Sequence, residues 1–266
     1  MFAQGGSLAT TKLALVVQYD GSRYAGFQVQ KAAPTVQGEL ESALKKLTGE
    51  EIRIKAASRT DSGAHATGQV ASFVTGSKLA PETFVRALNY YLPEDIAVKA
   101  ALEVEDGFDA RRSALSREYE YTILNSATRS PLHRHCACLV ARPLEVAAMN
   151  RACEALVGEH DFAPFTGVAE KTLRNTVRTV YRAQVRRERK KLAFNIVANA
   201  FLPQQVRRTV GALIKVGFGD MSVDEFAALA RSGSRGVMGP TVPALGLCLV
   251  RVSYDPPLID FEGSFG

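Results

Sequence analysis

Tryptophan is absent from the 266 residues, and cysteine, methionine and histidine number only four each. Four cysteines in a chain of this length do not make a disulfide framework, which points to a reducing compartment. No apolar run approaches the roughly 20 residues that cross a bilayer. The segment 1–11 is short, bears glycine and serine, and lacks the apolar stretch of a signal peptide. A cytoplasmic protein with a disordered start is expected. Neither a phosphate-loop nor a dinucleotide glycine fingerprint occurs. Metal-ligand spacing is also missing. His133, His135, Cys136 and Cys138 lie near one another, but without the paired short gaps of a structural zinc site. They read better as a strand with a buried thiol or two.

What the chain does have is basic charge and ordinary core material. Lysine plus arginine number 33 against 27 acidic residues, a net charge of +6. That excess suits a polyanionic partner without requiring one. Hydrophobic residues make up 46% and charged residues 23%, as in soluble globular proteins. A chain of this size buries about three quarters of its unfolded surface, so its core needs neither disulfide nor metal.

Hydrophobic periodicity orders the elements. Lys12 to Tyr19 reads as a strand closed by Asp20-Gly21. Thr35 caps a helix with Val36, Leu40, Ala43, Leu44 and Leu47 on one face, stopped by Gly49. Ile52, Ile54 and Ala56 alternate with charges as a strand, and Val70 to Val74 form another. A helix follows from Pro81 to Leu92, then a strand from Ile96 to Val104. The second half repeats that order. Strands are expected at 118–123, 177–185, 192–198 and 245–254, and helices from Pro143 to Leu156 and from Gln204 to Val216. Ser222 and Glu225 form a capping box for a further helix to Ala230. The expected class is α+β, two ferredoxin-like β-α-β-β-α-β halves with antiparallel sheets side by side, helices on one side and a cleft between them. The halves would span 12–112 and 113–255, with a tail at 256–266. Related single sheets are common RNA-binding surfaces.

Between the strands at 52–56 and 70–74 lies Ser58-Arg59-Thr60-Asp61-Ser62-Gly63-Ala64-His65-Ala66-Thr67-Gly68-Gln69. A carboxylate on a loop held by two strands suits a nucleophile or general base. On these residues alone an Asx-turn is the commoner explanation of Asp61. Arginines cluster at Arg111-Arg112, Arg174, Arg178, Arg182, Arg186, Arg207-Arg208 and Arg231. By alternation Arg178, Arg182 and Arg186 share one strand face, which fits either phosphate contact or a solvated surface.

The stretch Arg59 to Ala66, followed by Gly68-Gln69-Val70, resembles the active-site motif of the tRNA pseudouridine synthase A family, GRTDAGVHA then GQV. Ser58, Ser62 and Ala64 are small or apolar replacements within it. The resemblance runs from about Leu13 to Tyr254. Tyr19 to Gln28 resembles YDGxxYxGWQ with Phe27 in place of Trp, and Phe108 to Ala114 resembles FHARFSA. Tyr119-Glu120-Tyr121 resembles a YxY pair, Asn199 to Arg207 resembles NAFLxxxVR, and Pro243 to Leu247 resembles PAxGL. Pro203-Gln204-Gln205 stands where the family often has a histidine-bearing triplet.

The resemblance implies isomerisation of uridine to pseudouridine at positions 38 to 40 of the tRNA anticodon stem-loop. It makes Asp61 the nucleophile, Arg207 its ion-pair partner, and Tyr119 the ring that stacks on uracil and helps remove the C5 proton. Arg59 would occupy the space of the flipped base, with Arg23, His65, Arg111, Arg178 and Arg208 as further RNA contacts. His65 fits a loop-fixing role as well. No metal or other cofactor is implied, and the partners would be tRNA and a second copy of the chain. A non-catalytic RNA-binding module and a metal-dependent hydrolase built on Asp61 are the rival readings.

Overall fold

The computed structural model describes residues 10–167 and 174–258. The expectations for segment 1–9 and for the tail beyond 258 lie outside the described residues. Among the described residues ten strands make one mixed, mostly antiparallel sheet, with five α-helices packed against it and one another.

The first half of the chain runs β1 (Thr11–Tyr19), α1 (Val36–Thr48), β2 (Lys55–Ala56), β3 (His65–Thr75), α2 (Pro81–Tyr91) and β4 (Ile96–Glu103). Local chemistry fixes these limits. Thr35 accepts from the Gly38 N–H at the start of α1, and Gly49 ends it in the left-handed region at φ 76°. Pro81 opens α2, where a missing N–H costs nothing. The second half runs β5 (Ser116–Asn125), β6 (Cys138–Val140), α3 (Val146–Glu154), β7 (Gly158–Asp161), β8 (Val177–Glu188), β9 (Lys191–Ala198), α4 (Gln205–Phe218), α5 (Val223–Ala230) and β10 (Leu247–Ser253). The Ser222–Glu225 capping box is formed in both directions.

Strand order is β4-β1-β3-β10-β5-β9-β8-β7, with β2 also on β3 and β6 on β5. The expected pair of antiparallel sheets is therefore a single sheet, and two of its contacts are parallel. The seam is short. β10 pairs with β5 from Leu247↔Tyr121 to Ser253↔Ser116, but meets β3 only at Cys248↔His65 and Leu249↔Ala66. Beyond those pairs the backbones crowd. A Cβ on Gly68 would lie 2.2 Å from the Val250 carbonyl oxygen, so this position requires glycine.

Four expected details change. Ile52 and Ile54 are buried as read, yet only Lys55 and Ala56 join the ladder. The Ile54 N–H is satisfied by Glu41 Oε1 from α1 (3.1 Å), which removes the need for a strand partner. β3 begins at His65, because pairing with β1 and β10 draws His65 to Gln69 out of the expected loop. Pro143 does not open α3. Glu145 does, accepting from the Ala147 N–H. Lastly, a bulge between Val180 and Arg182 breaks the alternation of β8. Val180, Ala183 and Val185 share the face of Ala198, Ile196 and Phe194, so Arg178 lies on that face and Arg182 and Arg186 on the other.

The core fills the face shared by Tyr121, Ile123, Leu192, Phe194 and Ile196, all fully buried. Each such side chain contributes roughly 1.5–3 kcal/mol of burial free energy. The opposite face of the same strands is polar. Glu118 accepts there from Arg182 (3.0 Å), Arg251 (2.8 Å) and Asn195 (2.8 Å).

Candidate active site

The loop Ala57–Ala64 leaves β2 and enters β3 across the top of the seam, and four side chains or segments hold its backbone. Gln69, fully buried on β3, receives the Ser58 N–H on Oε1 (3.2 Å) and donates Nε2 to the Ser58 carbonyl (2.7 Å). Tyr19 and Thr60 join hydroxyls at 2.8 Å. The Phe27 N–H reaches the Thr60 carbonyl, and the Gly63 N–H reaches that of Tyr24. The Asp20-Gly21 turn packs beneath. There a Cβ on Gly21 would fall 1.8 Å from the Ala64 carbonyl oxygen. Together these side-chain and backbone contacts fix an irregular loop and with it the direction of the Asp61 side chain.

Asp61 projects from this loop toward α4, where Arg207 Nη1 donates to its Oδ2 at 2.9 Å. Arg207 is itself anchored, since its Nε donates to the Val242 carbonyl at 2.8 Å. The Asp61 side chain is 26% exposed and that of Arg207 16%, so the carboxylate is reachable while the guanidinium behind it is largely enclosed. Tyr119 comes from β5, on the face of Ile196. Its hydroxyl lies 2.7 Å from Ser58 Oγ, and its ring meets that of Phe201 edge-on at 5.2 Å. Burial pushes its pKa up to about 12, opposed in part by the Ser58 contact, so the phenol is neutral over the ordinary pH range. These groups line a cleft of about 590 Å³, together with Arg59, Arg111, Arg178 and Arg117.

A family model described as tRNA pseudouridine synthase matches residues 15–111 and 152–255. A tRNA pseudouridine synthase A from Chloroflexus aurantiacus is 47% identical over 251 residues, covering 93% of this chain and 90% of that protein. One from Acetivibrio thermocellus is 43% identical, over 90% of this chain and 98% of its own. Another, from Geobacillus kaustophilus, is 38% identical over 92% and 95%. The chain belongs to the tRNA pseudouridine synthase family. The matched spans include Asp61 and Arg207, and Tyr119 lies between them.

Within this synthase scaffold the other residues singled out by sequence separate into two groups. Arg59, Arg111 and Arg178 line the cleft. Arg59 is exposed at its rim, whereas Arg178 has a buried Nε without a partner, and burial lowers its pKa. Arg23, His65 and Arg208 do not line the cleft. Arg23 pairs with Asp95 at 2.8 Å. Arg208 donates to the Gly239 carbonyl (2.6 Å) and to Gln204 (3.2 Å). His65 Nε2 faces the carbonyls of His135 (2.8 Å) and Leu245 (3.0 Å), and Nδ1 lies 3.2 Å from the Gly21 nitrogen and 3.1 Å from Asp20 Oδ1. That contact also gives the His133–Cys138 segment a place, as a strap from the second half to β3. Among the described residues no group of three or more His, Cys, Asp or Glu side chains is placed to hold a metal ion. Also among the described residues, no helix is long and apolar enough to cross a membrane.

Sequence reasoning passed over Gln69, Ser58 and Arg117. Gln69 sits in the GQV triplet, where only a buried polar residue amid Val70, Ala71 and Phe73 hints at a clamp. For Arg117 there is an equivalent signal, since a charged residue begins the strand of Tyr119 and Tyr121 on their inward parity.

Proposed function

We infer that the chain isomerises uridine to pseudouridine in tRNA, at positions 38 to 40 of the anticodon stem-loop, with Asp61 as the nucleophile. One observation carries this reading: among the described residues, the only carboxylate that lines the cleft lies 2.9 Å from Arg207 and faces the same cleft as Tyr119. The reaction breaks the N1–C1′ bond of uridine, turns the base, joins C5 to C1′, and moves one proton from C5 to solvent while N1 gains another. Mass and oxidation state are unchanged, so the chemistry balances without a redox or group-transfer cofactor. Asp61 attacks at the sugar or the base while Arg207 holds its carboxylate in line.

Tyr119 supports the uracil while it is detached. As a neutral phenol it passes the C5 proton, directly or through water, by accepting on its oxygen while its own hydrogen goes to Ser58 Oγ and the Ser58 hydroxyl hydrogen goes to solvent in the cleft. The target nucleotide must leave its stack, at a cost of a few kcal/mol, and Arg59 at the cleft rim is placed to fill the gap. Arg111 and Arg178 offer charge to the flanking phosphates. Basic charge, a seam flanked by strand orders β4-β1-β3-β2 and β10-β5-β9-β8, and the cleft between them support two ferredoxin-like halves, 12–112 and 113–255. A cytoplasmic homodimer completes the reading, with each tRNA touching both copies.

Asp61→Asn tests it. The variant is expected to bind tRNA as the parent does and to form no pseudouridine in mapped tRNA. Full turnover by this variant would exclude the nucleophile.

A further inference from the structure

Among the described arginines that line the cleft, Arg117 alone is buried. It is 7% exposed, and among the described residues it makes no ion pair. Burial lowers its pKa, and no ion pair among the described residues offsets that effect. Its terminal nitrogens instead face four backbone carbonyls. Nη1 donates to Ala114 (3.0 Å) and Asn199 (2.7 Å), and Nη2 to Ala57 (3.2 Å) and Arg111. All four terminal hydrogens are thereby engaged. Such a group is not free to bind phosphate, although it lines the cleft.

The four carbonyls belong to three segments that are far apart in sequence, and each carries a residue of the site. Ala57 directly precedes Ser58, Arg59 and Asp61. Arg111 and Ala114 lie in the connection between the halves, and Arg111 lines the cleft. Asn199 begins the stretch through Phe201 into α4 and Arg207, and it is tied to β8 by exchange with Thr179. Arg117 itself stands two residues from Tyr119 on the same face of β5. The seam nearby contributes only two ladder pairs between the halves. A side chain that joins the Asp61 loop, the linker and the approach to α4 therefore supplements a weak junction at the place where catalytic alignment is decided.

We propose that Arg117 is a positioning residue, which clamps the segments bearing Asp61, Arg207 and Tyr119 into catalytic register without touching the substrate. The proposal rests on the reading of Asp61, Arg207 and Tyr119 as the reacting set. Lysine cannot reproduce the clamp, because a single ammonium with three hydrogens does not span four carbonyls from two nitrogens.

The experiment compares the full-length parent, Arg117→Lys, Arg117→Met and Asp61→Asn, using an unmodified tRNA transcript. Single-turnover rate, tRNA dissociation constant and melting curve are measured for each. Loss of turnover in Asp61→Asn first establishes that the reading of the site stands. Both Arg117 variants are then expected to melt cooperatively and bind tRNA within about threefold of the parent, while the rate constant falls about 100-fold, as for a misplacement near 1 Å. A residue that only stabilised the fold would lower the amplitude of the single-turnover phase and leave its rate constant unchanged, and that result overturns the proposal. So does a loss of tRNA affinity equal to the loss of rate, which would make Arg117 a binding residue. Failure of both variants to fold would also overturn it, since the side chain would then hold the fold rather than the site.

Discussion

Replacing Arg207 by lysine perturbs the centre of the site while keeping its charge. The arginine makes two contacts at once, Nη1 to Asp61 at 2.9 Å and Nε to Val242 at 2.8 Å. A lysine ammonium can hold one of them in the same geometry but not both. A hydrogen bond to a charged group contributes about 1.5–3 kcal/mol. Unit charges 4 Å apart would attract by about 4 kcal/mol at an effective dielectric constant near 20. Asp61 is 26% exposed, so solvent screening favours the smaller figure. Since each 1.36 kcal/mol is tenfold in rate, the expected loss in kcat is about 10- to 100-fold. Because the pair aligns the carboxylate rather than the RNA, KM should change by less than about threefold. Release of tritium from C5-labelled uridine in tRNA, followed with enzyme in excess, reports the step directly. Turnover within about twofold of the parent, or a loss carried wholly by KM, would refute the assignment of Arg207 to carboxylate alignment.

Gly68→Ala should destabilise the seam by about 1–3 kcal/mol, because its Cβ would meet a backbone oxygen at 2.2 Å. Melting should show a fall of roughly 2–12 °C in Tm, and an unchanged Tm would mean that the two halves part there without cost. In the alkaline range, burial pushes Cys248 up to about 11, and Cys153, Tyr24 and Tyr119 up to about 12. Folding favours their neutral forms, so this stability is whole below their ordinary values, near 9 for the thiols and 10 for the phenols, and is lost as pH rises toward 12. Tm measured against pH should decline over that window, and a flat profile would contradict it. On the acid side, burial opposes ionisation of Glu118, but Asn195, Arg251 and Arg182 outweigh it and lower its pKa. Its contribution is present above the ordinary carboxylate range and disappears as pH falls through the lowered value. Glu118→Gln should cost about 1–2 kcal/mol at neutral pH after allowance for the exposed arginines, and should flatten the acid limb of the denaturation curve.

Periodicity and capping residues made most elements legible, because those signals are local. The Ser222–Glu225 box, Thr35 with Gly49, and Pro81 each lie within four residues of the groups they satisfy. Non-local satisfaction was not legible. Ile52 to Ala56 alternates as a strand should, yet Glu41 from α1 takes the Ile54 N–H and the ladder shortens to two residues. β7 went unread because Gly158-Glu159-His160-Asp161 carries no apolar alternation, and its place in the sheet comes from pairing with β8. The single extra residue at Tyr181 reverses every later side chain of β8, so parity counting placed three arginines together that the bulge divides.

The site divides along the same line. Asp61, Tyr119 and Arg207, the proposed reacting set, could be named from motifs, since a reactive group must be a particular residue type. What holds them could not, because the partners are largely backbone atoms, which carry no sequence signature. Gln69 grips both polar groups of Ser58, and Ser58 in turn fixes the Tyr119 hydroxyl. Asp61 is three residues along that same loop, and the guanidinium facing it is anchored on a carbonyl of the segment entering β10. Arg207 and the loop of Asp61 are thus held by side chain–main chain contacts between elements, and the Tyr119 hydroxyl by the Ser58 side chain of that same loop. It follows that changes at Gln69, Gly68 or Arg117 should lower turnover although none of these side chains reaches the reacting atoms, whereas replacing the exposed Arg23, whose partner Asp95 lies outside the cleft, should leave the chemical step unchanged.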